Sequence, residues 1–499
     1  MNLYQHQREG VKFLVARSGA MLTLEMGLGK TRCALVAAQQ LFAERKIDRV
    51  LVLAPATVRI SWAEEISKLV SDIPFLPLVY RAKDSTVYGA SRVVSGLPIL
   101  IVSYALLPQQ RHVKALAKWA ASGKTLLVCD ESSFLKNRTA KQTKGSAEIA
   151  ASCDYRWLLT GTPIANSPLD LYGQALVLSP QNGNGHNYKP NGIGPLKGFG
   201  NFYHFQSRYA IVKMQQMGKL HFRQVVGYQN LDELTKRFAP YVLRRTKAEC
   251  LDLPERSYTV REVALKDSTW RVYQELKRDA LLALGDGEVT PEPNAAVRLL
   301  RLAQITSGHV GTIQVDGVLG EHAIDGVGSG NVRDVSSEKL DYLVEQIVDG
   351  ELLNENALLI WTRWRRERER LHGMLAGKID VYGIFGGQQA KNRSCEVQTF
   401  QSSDKRRVMI AQVHAGGYGL TLTAASTAVY ISNSFSYIDR VQSADRIHRI
   451  GQNKHCLYID VLACGPRGEK TVDHFILKTL QEKKSLADVT CSAWREALR

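Results

Sequence analysis

The chain has 499 residues, more than a single hydrophobic core usually supports, so we expect two principal domains. Its 65 Lys and Arg residues outnumber 48 Asp and Glu residues, and the formal net charge of +17 favours a polyanionic partner such as nucleic acid. Eight scattered cysteines without a C-x-x-C pair argue against a disulfide framework or a zinc site, and the lack of a long apolar run predicts a cytoplasmic protein without membrane contact.

A glycine-rich turn follows the first apolar run of the chain. Gly27 and Gly29 leave room for backbone N–H groups to approach phosphate oxygens, and Lys30 adds a positive charge. The hydroxyl group of Thr31 is suited to ligate Mg²⁺. The turn therefore predicts a nucleotide phosphate-binding loop, although Leu24 stands where the strict pattern has glycine. The alternative is an ordinary strand, turn and helix.

Apolar runs of strand length alternate with helical patterns in the first half of the chain. This alternation predicts a doubly wound parallel sheet, whose ligands lie at the carboxyl ends of the strands. Gln7, in an amphipathic helix ahead of the glycine turn, carries an amide group suited to read an adenine edge. The further apolar runs begin at Val50, Ile99, Thr125 and Tyr155.

An acidic pair, Asp130 and Glu131, stands at the end of one of these apolar runs. Such a pair is costly at the edge of a sheet unless it serves a cation. We interpret Asp130 as holding Mg²⁺ through water and Glu131 as orienting and deprotonating the attacking water. A solvated strand end is the alternative, and the upstream Gly-Lys-Thr sequence makes it the weaker interpretation.

The second half of the chain predicts another α/β lobe, after a loop rich in Gly, Asn and Pro at 181–200 and further loops at 285–293 and 316–330. A glycine loop at His414–Thr423 is suited to bind phosphates through its backbone N–H groups. Farther on, Arg446 and Arg449 are three residues apart, so on a helix they would share one face. The strands of this lobe are predicted at Ala357–Trp361, Lys378–Tyr382, Val408–Ala411 and Ala428–Ile431.

The order of these motifs resembles helicase superfamily two, and the sequence M-G-L-G-K-T has the form found in its Swi/Snf branch. The chain departs from that branch at Ser133, which replaces a histidine, at Leu24, which replaces an acidic residue, and at Phe435–Tyr437, which replaces Trp-Asn-Pro. The motifs that carry the resemblance are Gln7, Met26–Thr31, Ala54–Pro55, Asp130–Glu131, Leu159–Pro163 and Gln442–Gln452.

The resemblance implies an α/β fold of two RecA-like doubly wound parallel-sheet lobes with helical insertions, and it implies ATP and Mg²⁺ as ligands. It assigns catalysis to Lys30, Asp130, Glu131, Arg446 and Arg449. It assigns ATP binding to Gln7, Met26, Gly27, Leu28, Gly29, Lys30, Thr31, Gly417 and Gln442, and Mg²⁺ binding to Thr31 and Asp130. It assigns DNA contacts to Pro55, Thr57, Ser103, Thr162, Thr362, Gly416, Thr421 and Thr423.

The same resemblance predicts the order of domains. It implies a first motor lobe at 1–178, a helical protrusion with a flexible loop at 179–252, an inter-lobe linker at 253–265, a second helical insertion at 266–335, a second motor lobe at 336–478 and a C-terminal brace helix at 479–499.

The resemblance leads us to expect a monomeric, ATP-dependent translocase on double-stranded or branched DNA that remodels DNA or protein–DNA complexes. Candidate partners are replication or recombination proteins, and the chain length favours stand-alone bacterial or phage motors and fork-remodelling types. One alternative is a strand-separating or branch-migrating helicase, for which the sequence indicates no wedge-like hairpin. Another is a nucleotide-gated DNA-binding module without turnover, which Ser133 makes conceivable.

Overall fold

The computed structural model divides the chain into two compact units. The first unit comprises residues 1–213, 223–252 and 485–499, and the second comprises 214–222 and 253–484. Each helix in the described part of the chain is too short or too polar to span a membrane. The described residues are 3–56, 58–69, 73–89, 96–179, 194–217, 220–285, 292–311, 313–314, 324–325, 332–350, 352–353, 356–413 and 420–496.

Helices and strands alternate through the first 252 residues. The helices are α1 Gln5–Val15, α2 Lys30–Ala43, α3 Val58–Lys68, α4 Gln110–Ala120, α5 Lys141–Ala150, α6 Asp170–Leu178, α7 Phe202–Tyr209, α8 Leu231–Phe238 and α9 Lys247–Cys250. The strands are β1 Gly19–Leu24, β2 Arg49–Ala54, β3 Phe75–Arg81, β4 Thr86–Tyr88, β5 Leu97–Ser103, β6 Thr125–Asp130, β7 Tyr155–Leu159, β8 Ala210–Met217, β9 Leu220–Tyr228 and β10 Val242–Arg245. Short 3₁₀ helices cover Tyr104–Leu106, Ser132–Leu135 and Ala239–Tyr241.

Helices and strands also alternate after residue 252. The helices are α10 Asp267–Gly285, α11 Glu292–Thr306, α12 Glu338–Val348, α13 Arg365–Leu375, α14 Ala390–Ser402, α15 Tyr437–Ala444 and α16 Val472–Glu496. The strands are β11 Arg256–Ala264, β12 His309–Val310, β13 Ile313–Gln314, β14 Ile324–Asp325, β15 Arg333–Asp334, β16 Ala357–Thr362, β17 Asp380–Ile384, β18 Arg407–Gln412, β19 Thr427–Tyr430 and β20 Cys456–Cys464.

The first unit is built on an eight-stranded sheet with the order β10-β1-β7-β6-β2-β5-β3-β4. Its pairs are parallel except for β3 and β4, which are antiparallel. Successive side chains of a strand point to opposite faces, so Leu127 and Cys129 of β6 enter one core while Leu126 and Val128 enter another. The sheet is therefore covered on both faces, and the predicted doubly wound fold is confirmed.

The second unit contains a parallel six-stranded sheet with the order β11-β20-β19-β16-β18-β17. Its central strand β16 alternates in the same way, since Leu359 and Trp361 pack in one core and Leu358 and Ile360 in the other. The second predicted RecA-like lobe is thereby confirmed.

Two segments of the chain contain strands that the predicted division into domains did not include. The predicted linker contains β11, which pairs with β20 along all nine of its residues. The predicted protrusion contains β10, which pairs with β1 inside the first sheet, and it also contains the paired strands β8 and β9 instead of helix alone. Long-range pairing causes these differences, because a short strand has no local signal for its partner. The predicted loops at 181–200, 285–293 and 316–330 lie mostly outside the described residues.

Candidate active site

The glycine turn between β1 and α2 requires glycine for two separate reasons. Gly27 and Gly29 both have a φ of 82°, in the left-handed region that residues with a side chain rarely adopt. A Cβ atom on Gly29 would also lie 2.5 Å from Nε2 of Gln7. The turn ends where α2 begins at Lys30, so the backbone N–H groups of the first helical turn point into the cradle.

The α1 helix fixes this turn from one side. Nε2 of Gln7 donates to the carbonyl oxygen of Leu28 at 3.3 Å, and Nε2 of His6 donates to the same oxygen at 3.1 Å. The side chain of Leu28 is fully buried, which anchors the middle of the turn in the core. Gln7 was predicted to bind nucleotide, whereas the contact of its neighbour His6 was not predicted.

Lys30 occupies the inside of the turn. Its Nζ atom donates to the carbonyl oxygen of Leu24 at 3.0 Å, and only 9% of the residue is exposed. The next residue, Thr31, is partly exposed in the first turn of α2. A cation at the N-terminus of a helix strengthens a site that already favours anions.

Asp130 lies at the carboxyl end of β6 and is 4% exposed. Its Oδ2 atom accepts a hydrogen bond of 2.7 Å from Nε1 of Trp62, and its Oδ1 atom accepts one of 2.9 Å from the N–H of Glu131. Burial raises the pKa of Asp130, while the Trp62 hydrogen bond and the positive charge of Lys30 oppose this rise. Since β1 and β6 both pair in parallel with β7, the phosphate-binding loop after β1 and the carboxylate at the end of β6 lie at the same edge of the sheet.

The residues after Asp130 are held in an unusual backbone. Glu131 has a φ of 47°, which a residue with a side chain seldom adopts and which often marks a functional site. The hydroxyl group of Tyr104 donates to the carbonyl oxygen of Asp130 at 2.9 Å. Ser133, in the position of the usual histidine, is 1% exposed, and its hydroxyl has no hydrogen-bond partner among the described residues.

The predicted Thr-Gly-Thr motif lies beside the phosphate-binding loop. The N–H of Thr160 donates to the carbonyl oxygen of Leu22 at 3.2 Å. A Cβ atom on Gly161 would lie 3.4 Å from the backbone nitrogen of Met26, so the two backbones approach closely. This segment follows β7, between β1 and β6 in the sheet. It is therefore placed to respond to whatever occupies the loop.

The protein offers a fitting set of ligands for Mg²⁺. The hydroxyl oxygen of Thr31 and the carboxylate of Asp130 are the hard oxygen donors that this ion prefers. The cradle beside them excludes even a single Cβ atom at Gly29. The residues therefore fit a phosphate group with its magnesium ion.

Strand β10 supports the loop, although no local pattern in the sequence indicates this contact. The N–H of Glu25 donates to the carbonyl oxygen of Arg245 at 2.9 Å, and Oε2 of Glu25 accepts from the N–H of Lys247 at 2.7 Å. Arg245 also forms an ion pair of 2.8 Å with Glu9 of α1. The run Leu243-Arg-Arg-Thr-Lys247 is basic, and nothing in it indicates that it pairs with β1.

In the second unit, Arg446 and Arg449 converge as predicted, but not on a helix. The α15 helix ends at Ala444, so both arginines lie in the turns that follow. The N–H of Leu422 donates to the carbonyl oxygen of Arg446 at 2.9 Å. Nε2 of Gln452 donates to the carbonyl oxygens of Thr423, Ala425 and Ile447. These long-range hydrogen bonds replace the helical ones.

Gln442 is the most unusual polar residue of this region. It is 1% exposed, yet neither its amide nitrogen nor its amide oxygen has a hydrogen-bond partner among the described residues. A buried amide without partners costs about 1–3 kcal/mol for each unmade bond, so this amide is suited to bind a polar ligand. Gly417, predicted to bind ATP, lies outside the described residues.

The predicted DNA-contacting residues have different surroundings. Pro55 is buried, as is Ser103, whose hydroxyl accepts from the N–H of Ala105 at 3.3 Å. Thr162 is 9% exposed, and Thr362 has no exposed surface and so cannot reach a DNA backbone in this arrangement. Thr421 and Thr423 are partly exposed, whereas Thr57 and Gly416 lie outside the described residues.

The phosphate-binding loop and its buried carboxylate define a nucleotide-dependent α/β protein of two lobes. The chain belongs to the SNF2-related family of ATPases, because residues 6–307 match the SNF2-related domain. Residues 338–451 match the helicase conserved C-terminal domain. Membership of this family implies ATP hydrolysis, and it confirms the predicted resemblance.

Several relatives match along nearly the whole chain. An uncharacterized ATP-dependent helicase of Mycoplasma genitalium is 26% identical over 500 residues, which cover 98% of this chain and 42% of that protein. A SWI/SNF-related matrix-associated actin-dependent regulator of chromatin subfamily A-like protein 1 of Xenopus tropicalis is 27% identical over 491 residues, which cover 97% of this chain and 44% of that protein. The chain thus spans less than half the length of these curated relatives.

A solved structure, that of the Sulfolobus solfataricus SWI2/SNF2 ATPase core in complex with dsDNA, also resembles the chain. The sequences are 22% identical, the comparison covers 100% of this chain and 95% of that chain, and the TM-score is 0.41.

Proposed function

We propose that the protein hydrolyses ATP at the loop between β1 and α2 and uses the energy to move along double-stranded DNA without separating its strands. The observation that carries the ATPase assignment is the position of Lys30 and Asp130 in the first sheet, because Lys30 follows β1, Asp130 ends β6, and both strands pair in parallel with β7. Lys30 would balance the charge of the terminal phosphates, and Thr31 and Asp130 would hold Mg²⁺. When bound, Mg²⁺ would offset negative charge on the phosphates.

Glu131 is the proposed general base. Its backbone has a φ of 47° directly after β6, and a carboxylate at this position is suited to orient and deprotonate a water molecule. The alternative of a nucleotide-gated module without turnover rests on Ser133, and the presence of Glu131 counts against it. Release of phosphate from ATP, measured with and without DNA, distinguishes the two: no release under either condition would overturn hydrolysis.

Three residues of the second unit are proposed to contact the nucleotide. Arg446 and Arg449 are the proposed arginine fingers, and Gln442 is a further proposed contact with the nucleotide. Guanidinium groups suit this role because they are permanently charged and can bind phosphate through two N–H groups. The buried, unpartnered amide of Gln442 supports a ligand at this place.

We propose DNA as the polymer along which the protein moves, because the formal net charge is +17 and the chain belongs to the SNF2-related family. Phosphate contacts carry no sequence information, so we expect binding to ignore sequence and to weaken steeply with added salt. The proposed working form is a monomer on double-stranded or branched DNA, with replication or recombination proteins as proposed partners. ATPase rates with single-stranded, duplex, forked and four-way DNA test the substrate class.

Strand separation is a second candidate function, because β8 and β9 form a two-stranded sheet that the sequence did not indicate. Such a hairpin is one kind of element that can separate base pairs. The deciding assay compares a third strand bound in the major groove of a duplex with a simple partial duplex. A translocase displaces the third strand but releases little of the partial duplex. Efficient release of the partial duplex would favour the helicase instead.

A further inference from the structure

An exposed tyrosine of the first unit has two arginines close to its ring. Tyr203 is 57% exposed. The guanidinium carbon of Arg138 lies 5.4 Å from the centre of its ring, and that of Arg223 lies 6.0 Å from the same centre. Both distances are within the range of a cation–π contact. We call Arg138, Tyr203 and Arg223 the Arg–Tyr–Arg cluster.

The first turn of α7 holds the cluster in place. The side chain of Asn201 caps this helix by accepting from the N–H of His204 at 3.0 Å. Phe202 packs edge-on against Tyr172 at 5.2 Å, and Arg138 also lies 4.1 Å from the ring centre of Phe202. The aromatic residue before Tyr203 thus faces the core, which leaves Tyr203 in solvent.

The strand that carries Arg223 is fastened to the same helix. The N–H of Gln229 donates to the carbonyl oxygen of Tyr209 at 3.0 Å, and Nδ2 of Asn230 donates to the carbonyl oxygen of Arg208 at 2.8 Å. These bonds join the end of β9 to the end of α7. The Arg–Tyr–Arg cluster is therefore an organised arrangement and not a chance meeting of long side chains.

The segment of the chain that carries Tyr203 and Arg223 contains basic residues but no acidic ones. Between Asp170 and Asp232 the sequence contains no Asp or Glu. Arg138 and Arg223 form no ion pair with a carboxylate in the parts of the chain that the structure describes. The strand pair also exposes three apolar residues beside its cations, namely Ile211, Met214 and Val226. The basic residues of the acid-free segment are Lys189, Lys197, Arg208, Lys213, Lys219 and Arg223.

We propose that the Arg–Tyr–Arg cluster binds single-stranded DNA, with an unpaired base stacked on Tyr203 and the guanidinium groups of Arg138 and Arg223 paired with phosphates. Base stacking on an exposed aromatic ring, combined with a basic surface, is the usual means of binding single strands without regard to sequence. In a duplex, the faces of the bases are covered by their neighbours, so only an unpaired base can use the ring. The cluster therefore selects DNA that contains single-stranded segments over intact duplex.

This inference rests on the proposed function for its choice of DNA as the polymer, but it concerns a surface that the ATP chemistry does not use. The test measures binding without nucleotide. Fluorescence anisotropy of the full chain gives the affinities for a labelled oligo-dT strand and for a blunt duplex, for wild type, Tyr203→Ala and Tyr203→Phe. The matched control is Tyr88→Ala, because Tyr88 is 43% exposed and also lies beside an arginine, Arg81, at 4.3 Å.

We expect Tyr203→Ala to lower the ratio of single-strand to duplex affinity by about tenfold, the size of effect typical of one stacked base. Tyr203→Phe keeps the ring and should stay within about threefold of wild type, and Tyr88→Ala should keep the wild-type ratio. A Tyr203→Ala protein with the wild-type ratio would overturn the proposal. So would an equal loss in the Tyr88→Ala protein, since that loss would indicate general damage.

A second variant keeps the test decisive if Tyr203→Ala fails to fold. Arg223→Gln removes one exposed charge and should reduce the slope of log affinity against log salt by about 0.7 for single strands. An unchanged slope would contradict the phosphate contact.

The proposed function is tested separately, by the ATPase rate of wild-type protein with and without blunt duplex. If the protein binds single strands through Tyr203 but blunt duplex does not stimulate its ATPase activity, the proposed translocase function is refuted. The proposed role of the Arg–Tyr–Arg cluster is then still supported.

Discussion

Arg446 and Arg449 donate from their Nη1 atoms to a single carbonyl oxygen, that of Leu420, at 2.9 and 2.8 Å. Nε of Arg446 also donates to the carbonyl oxygen of Gln442 at 2.8 Å. One backbone oxygen thus binds two guanidinium groups, and both arginines lie beyond the C-terminal end of α15. A guanidinium has five N–H donors, so Arg449, partly exposed, keeps donors that can reach an anion.

The role of Arg449 is tested by Arg449→Ala. Because an arginine finger stabilises charge in the transition state, we expect DNA-stimulated ATP hydrolysis to fall by about 10³-fold or more, while DNA affinity changes little. Steady-state phosphate release and DNA binding are measured on the same samples. Arg467→Ala, an exposed arginine of the same unit, is the control. Parallel loss of hydrolysis and DNA binding would identify Arg449 as a plain DNA contact.

Glu131 and Lys30 should separate catalysis from binding. Glu131→Gln removes the proposed base but keeps the size of the side chain, so we expect ATP to stay bound while turnover falls by about 10²-fold or more. Lys30→Ala should weaken nucleotide binding itself. A fluorescent ATP analogue gives affinity, and phosphate release gives turnover. Glu148→Gln changes a partly exposed carboxylate of the same unit and should behave as wild type. Near-normal turnover in Glu131→Gln would refute the role of Glu131.

Gly29→Ala tests the cradle. The new Cβ atom would lie 2.5 Å from Nε2 of Gln7, in a backbone with a φ of 82°. We expect nucleotide affinity to fall at least tenfold, because the loop must shift. Gly198→Ala is a close control, since Gly198 has a φ of 87° but no atom within 4 Å of its added Cβ. The Gly198→Ala protein should lose about 1–2 kcal/mol of stability because of the left-handed backbone. Its nucleotide affinity should stay at the wild-type value. Unchanged nucleotide affinity in Gly29→Ala would show that the loop does not hold phosphate.

Arg440→Leu tests a buried ion pair in the second unit. Arg440 binds Asp460 through two bonds of 2.6 and 2.9 Å, and it lies 3.5 Å from the ring centre of Tyr430. Loss of the arginine leaves Asp460, 3% exposed, without its counter-charge, so we expect the free energy of unfolding to fall by about 3–5 kcal/mol. Chemical denaturation followed by circular dichroism measures it.

The control for the buried pair is Arg365→Ala, which removes an exposed ion pair with Glu369 within α13. Exposed pairs contribute little, so its effect should be much smaller. Replacement of both partners, in Arg440→Leu/Asp460→Leu, should restore part of the stability because no buried charge is left alone. Equal effects of Arg440→Leu and Arg365→Ala would contradict a stabilising role for the buried pair.

The sequence by itself determined the features that short stretches encode. Gly27, Gly29 and Lys30 indicate a phosphate-binding loop because the turn is made within a few residues. The apolar runs predicted the central strands of both sheets, since a strand buried on two faces must be apolar throughout. The position of Asp130 at the end of β6 followed from the same pattern.

Only the tertiary structure decided which distant segments meet. Trp62 lies 68 residues before Asp130 but donates to its carboxylate, and β10 pairs with β1 across more than two hundred residues. The α15 helix ends at Ala444 because backbone groups beyond it bond to remote partners. Such contacts depend on the closure of long loops and on the packing of whole sheets, so no local pattern of side chains can specify them.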